Sequence, residues 1–227
     1  PLEPRLAGSF REMGEFTYPH TFERLPDGNV LVTFQTKGEG NEIAGGLVEL
    51  DPAGRLVRSA DAADPVDPEL RAYSVTPIPS IDRAVSTTTD MRMEANGTSF
   101  QVWGLSDLTL LKTVPLPPGP SGHEHRDPAE VRLLPDSATA ILTTFSCSMY
   151  LLHGLDTEAP GAELVYTLPW ATYDTDECGI PLTRGGYWIQ TYAHSTGSAL
   201  VSLDISDPTR PVEVDRMTLE GDWWPHW

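Results

Sequence analysis

An all-β fold, and within it a β-propeller, is what this 227-residue sequence predicts. Three observations lead there. Long helical periods are absent, and short runs of β-branched and aromatic residues recur between turn signals. Proline (21) and glycine (19) make up nearly a fifth of the chain, spread in small clusters that read as turns rather than as a linker. Similar phrases also restart along the chain at roughly 45–50 residues, a period that holds the three or four strands of a propeller blade. A β-sandwich uses as many strands but does not restart one phrase at a fixed interval.

The strands follow in order as Asn29–Gln35, Gly46–Leu50, Arg83–Thr88, Ser99–Leu105, Ala138–Phe145, Met149–His153, Gly186–Tyr192 and Ala199–Ile205. Turns are expected at Pro26–Gly28, Asp51–Gly54 and Asn96–Gly97. Asn96-Gly97-Thr98 also fits a glycosylation sequon, but a hairpin turn is the preferred reading. The recurring phrase is clearest in RLPDGNVLVTF from Arg24, RLLPDSATAILTTF from Arg132 and PLTRGGYWIQTYA from Pro181. Registered on its turn residues, it puts His20, Val75, Ala129 or Glu130, Cys178 and His226 at comparable points. The whole chain, 1–227, reads as one propeller domain holding four to five blades' worth of sequence: either a closed ring of four or five blades or, as the preferred reading, part of a larger ring without its terminal blades.

Composition excludes several classes. Fifteen Lys and Arg against 33 Asp and Glu give a net charge of −18, which repels nucleic acid, and no basic patch offsets it. No apolar run approaches the ~18 residues of a membrane-spanning helix. Two cysteines, Cys147 and Cys178, exclude a disulfide scaffold while leaving one bridge open. Cys147, in FSCSMYLL, reads as a core residue inside a strand. The chain starts at Pro1 without a signal-like segment and reads as processed or trimmed, so its compartment and oligomeric state stay open. No nucleophile elbow, HExxH, P-loop, dinucleotide fingerprint or CxxC pair occurs.

Several phrases carry a family resemblance. PHTFERLPDGNVLVTF, GGLVELD, FQVWGLSDLTLLKTVPL, PAEVRLLPD and LDISDPTRP occur in that order and cover most of residues 1–215. Together they resemble the selenium-binding protein / methanethiol oxidase family. The resemblance implies a seven-bladed ring, a metal (copper) bound by histidines near the axis, and oxidation of a small thiol. One departure is plain: the family's His-Thr-x-His-Cys reads His20-Thr21-Phe22-Glu23-Arg24 in this chain.

Inner-strand ends converge on a propeller axis, so imidazoles distant in sequence can meet there. Neutral imidazole suits copper, zinc, iron or nickel, and ligand type alone does not choose among them. His20 and His226 share one repeat phase, and His123-Glu124-His125 lies in the loop entering another inner strand. In an extended loop His123 and His125 face one way and Glu124 the other. The candidate metal ligands are therefore His20, His123, His125 and His226, with an open position for a small-molecule substrate. Glu130 and Cys178 occupy the same phase in other blades and are the candidate catalytic groups, as proton acceptor and soft ligand. His153 reads as a surface residue, His194 as a loop residue, and Trp223-Trp224 as a pocket wall or interblade core. The rival reading is a non-catalytic propeller that binds a protein or ligand on its face.

Overall fold

The computed structural model describes residues 3, 8–10, 14–137, 139–171, 177–194, 197–220 and 225. These form four antiparallel sheets, each built from consecutive strands. The first holds β1 (Phe16–Arg24), β2 (Val30–Lys37), β3 (Ile43–Leu50) and β4 (Leu56–Asp61); the second holds β5 (Val75–Ile78), β6 (Arg83–Thr87), β7 (Ser99–Gly104) and β8 (Leu110–Pro115). The third holds β9 (Pro128–Leu133), β10 (Ala140–Thr144), β11 (Ser148–His153) and β12 (Gly161–Thr167). The fourth opens with two short strands, β13 (Glu177–Cys178) and β14 (Leu182–Arg184), which both pair with β15 (Tyr187–Ala193). It continues with β16 (Ser198–Asp204) and β17 (Val212–Leu219). Pro181, which has no N–H to give a ladder, lies in the gap between β13 and β14.

Each sheet runs as a meander from its inner to its outer strand, the arrangement of propeller blades. The first strands contact one another across sheets, β1 with β5 and β5 with β9, so they are innermost. The outer strands β4, β8, β12 and β17 are the more exposed ones. Middle strands are covered on both faces, which is why Ser99–Gly104 is buried throughout.

Alternation along β2 shows how the faces are used. Leu31 packs with Leu47, Val75, Ala84 and Trp103 between the first and second sheets, while Val32 and Phe34 face the other way with Phe16 and Val48. A second core lies between the second and third sheets around Phe100, Val131, Leu142 and Tyr150. A third lies between the third and fourth around Ile141, Met149, Trp188 and Val201. The buried indoles are satisfied: Trp103 donates to Ser86 and Trp188 to Gln190, both at 2.9 Å.

Neighbouring sheets are also stitched by polar side chains. Thr76, Thr87 and Thr89 each donate a hydroxyl, at 2.7 Å, to the β9-strand carbonyls of Val131, Ala129 and Pro128. Thr33 donates to Tyr73 O and Gln35 to Ala72 O, joining the first sheet to the second. The buried Arg71 guanidinium donates to the carbonyls of Gln35 and Glu42. Between the third and fourth sheets the link is covalent, a Cys147–Cys178 disulfide.

The chain turns between β1 and β2 and between β3 and β4 where the sequence predicts, with Gly28 N–H donating to Leu25 O and Gly54 N–H to Asp51 O. Asn96–Gly97 is different. It lies in the longer connection from β6 to β7 and is not a hairpin turn. Gly97 packs so close to the Thr88 backbone that a Cβ would sit 2.4 Å from Thr88 O, and this close approach accounts for the glycine. Cys147 likewise lies in the turn between β10 and β11, at φ 63°, rather than inside a strand.

Candidate functional site

The entry ends of the inner strands meet at a cleft of about 530 Å³. Each sheet contributes to its wall: His20 from β1, Tyr73 from the segment entering β5, Arg126 and Asp127 from the segment entering β9, and Glu177 from β13. Connections add Asp90, Met91, Met93 and Asn96 after β6, and Phe145 and Ser146 after β10.

His20 reaches this wall because β1 carries a bulge. Pro19 pairs with Phe34 and Phe22 with Val32, so three steps on β1 match two on β2. His20 and Thr21 thereby both stand opposite Thr33, on the side facing the second sheet. The imidazole lies over Tyr73 with ring centroids 3.9 Å apart, and its Nδ1 is 3.0 Å from Thr21 Oγ1. Phe145 meets the same phenol edge-on at 5.6 Å. Burial, reinforced by the Glu130 and Glu177 carboxylates, pushes the Tyr73 hydroxyl well above the ordinary phenol range.

The carboxylates at the wall are differently disposed. Asp90 is gripped by Arg92, whose Nε and Nη2 lie at 3.2 and 3.0 Å, with Arg71 Nε at 3.8 Å. Burial works to raise its pKa, but the Arg92 hydrogen bonds outweigh it and hold Asp90 below the usual range. Asp127 turns its Oδ1 to Gly97 N–H at 3.0 Å, and burial pushes its pKa up despite that bond.

Glu23, on the same side of β1 as His20, lies within electrostatic reach of Glu130 and Arg132. Burial raises its pKa against the lowering influence of Arg132, with Glu130 adding to the rise. Glu130 is buried and ion-paired to Arg132 at 2.8 Å, and Arg132 also donates to Pro181 O. Neither Glu130 nor Glu23 is among the residues lining the cleft.

The histidine pair expected in an extended loop sits instead in a turn closed by Arg126 N–H to His123 O at 3.0 Å. Glu124 is the reason. It is 3% exposed and accepts from the N–H groups of Ser121 and His123. Those bonds outweigh burial and bring its pKa down to about 2. A side chain on Gly119 would collide with this carboxylate, whose Cδ would lie 2.4 Å from the added Cβ. His123 and His125 flank the turn and do not line the cleft that His20 lines.

Cys178 is corrected as a soft metal ligand or catalytic thiol, because its sulfur is bonded to Cys147 and both are buried. His226 and the Trp223-Trp224 pair lie outside the described residues. His153 is exposed at the end of β11, and His194 directly follows β15 and is not among the residues lining the cleft. Among the described residues no group of three His, Cys, Asp or Glu side chains is placed to hold a metal. The described donors therefore do not by themselves fit a three-ligand copper centre. Sequence reasoning missed Tyr73, Arg126, Asp127 and Phe145. The only signal for them was position, since each borders an inner strand or a turn next to one.

This fold and axial cleft define a propeller-like all-β protein. The chain is similar to a hypothetical selenium-binding protein from Sulfolobus tokodaii, with a TM-score of 0.73 and 17% identity over 93% of this chain and 52% of that one. It thus spans about half the length of that protein. It is also similar to an exo-β-1,3-galactanase from Phanerochaete chrysosporium (TM-score 0.55, 13% identity, 88% of this chain and 50% of that one). A third likeness is to BamB from Moraxella catarrhalis (TM-score 0.51, 12% identity, 90% and 50%). No protein-family model and no curated protein matches the sequence. No helix among the described residues is long and apolar enough to cross a membrane.

Proposed function

We propose that the axial cleft is the working site of this chain and that it takes a small organic molecule, with His20 as the imidazole that meets it. One observation carries the reading: all four sheets send a polar or aromatic side chain to this cleft. Its volume is in the range of small-molecule sites.

Metal-dependent oxidation of a small substrate, a thiol with copper, is the specific chemistry to test within this reading. Its support is the ordered family resemblance in the sequence, the fold likeness to the Sulfolobus protein and the presence of His20 at the cleft. Copper would supply a redox centre. The ion would need donors beyond those described, His226 first among them, so no step is routed through it.

Elemental mass spectrometry on native protein and on a His20→Ala/His226→Ala double variant decides between the versions. About one copper per chain in the native protein, lost in the variant, is the result expected of the oxidase. Zinc or iron in that pattern keeps a metal site and discards copper chemistry. No metal after reconstitution with copper, zinc and iron leaves a propeller that binds its ligand without one.

A further inference from the structure

Arg126 stands apart among the charged groups of the cleft. The protein carries 33 acidic side chains against 15 Lys and Arg, so a guanidinium has carboxylates in excess to choose from. Arg58, Arg132 and Arg216 each take one, and Arg92 takes two. The Arg126 guanidinium, on the cleft wall, makes no hydrogen bond or ion pair among the described residues. Its backbone N–H donates to His123 O at 3.0 Å, and its carbonyl is one of three, with those of His123 and Glu124, that gather around the single Ser146 hydroxyl. The side chain is thus carried by an anchored turn.

The acidic residues of the wall differ in how far they compete for it. Asp90 is held by Arg92 through two side-chain bonds and one backbone bond. Asp127, the adjacent carboxylate, directs its Oδ1 to Gly97 N–H and also lies within electrostatic reach of Arg126, so it is the wall carboxylate that competes most directly for the guanidinium. Glu177 enters from the fourth sheet and is the carboxylate an incoming anion must tolerate. Opposite polarity is supplied by apolar surface: Met91 and Met93 are 56% and 91% exposed, and Phe145 also lines the cleft. Thioethers adapt their shape to apolar ligands, while a guanidinium fork fits a carboxylate with two parallel bonds.

We propose that the cleft binds a small organic carboxylate, with Arg126 gripping the carboxylate and the Met91, Met93 and Phe145 surface covering an apolar or sulfur-bearing body. This rests on the axial cleft being the working site, and it adds the ligand's charge and the residue that reads it.

Calorimetric titration with matched probes at one ionic strength tests it: benzoate against benzamide, 3-mercaptopropionate against its amide, and benzylamine as the cation. The acids are expected to bind about 10-fold or more tightly than the amides, from the charge-assisted bonds. Arg126→Gln should erase that difference and Arg126→Lys keep part of it. Since the guanidinium makes no hydrogen bond or ion pair among the described residues, and acts on Asp127 and His125 through charge alone, both variants should melt close to the native protein. Equal binding of acids and amides, a preference for the amine, or a preference for acids that survives Arg126→Gln overturns the carboxylate proposal. If neutral probes still bind and His20→Ala weakens them, the cleft reading stands without it. Failure of every probe to bind overturns both.

Discussion

Glu124 shows a single side chain deciding what its neighbours can do. A carboxylate buried among N–H groups is favoured as the anion, so its folded pKa lies below the unfolded one. The stabilisation is present above about 4.5 and is lost as pH falls toward about 2. Glu124→Gln should therefore cost about 1–2 kcal/mol at neutral pH through weakened hydrogen bonds. In urea melts the gap between native protein and variant should narrow steadily below pH 4. A gap independent of pH would show that shape rather than charge holds the turn. His-Glu-His reads in the sequence as an alternating extended segment. The inward pull on Glu124 depends on where the Ser121 N–H points, which no spacing reveals. His20 differs in degree: its proline-histidine phase points toward the axis, but its place on the cleft wall depends on the β1 bulge, which that phase does not reveal.

At the scale of the element, the threonines of β5 and β6 join two sheets by reaching the carbonyls of β9. Replacing Thr76 or Thr87 by valine keeps the shape and leaves a buried carbonyl without its donor. Each change should cost about 1–2 kcal/mol, read as a lower urea midpoint with the denaturant slope unchanged. A cost near zero for both would mean that these bonds contribute nothing net. Most middle strands were legible because their apolar runs and flanking turns are local properties. The phrases GGLVELD, FQVWGLSDLTLLKTVPL and LDISDPTRP likewise fall on β3, on β7–β8 and on the end of β16 with the turn to β17. The inner strands were harder to read. β5 and β13 are short, and their ends carry cleft residues whose identity answers to the site rather than to strand periodicity.

Across the whole molecule, the Cys147–Cys178 bond ties the third sheet to the fourth beside the cleft, since Phe145, Ser146 and Glu177 are chain neighbours of the two cysteines. The bond spans 31 residues, and closing a loop of that length stabilises the fold by about 3–4 kcal/mol on the chain-entropy account. A Cys147→Ala/Cys178→Ala double variant should melt well below the oxidised native protein, and reductant should lower the native melting point but not the variant's. An unchanged melting point would show that hydrophobic burial alone holds the two sheets together. The pairing was left open by the sequence because it depends on two sheets meeting. The approach of β13 to the β10–β11 turn is a property of the assembled fold.

The bulge in β1 has a consequence for counting. His20 and Glu23 are an odd number of positions apart, and an uninterrupted strand would send them to opposite faces. The inserted residue resets the phase and lets both look inward, one toward Tyr73 and the other toward Arg132. A related sequence one residue shorter at this point could keep either group on the axis but not both. Length there is thus as informative as residue identity when other chains are matched to this one.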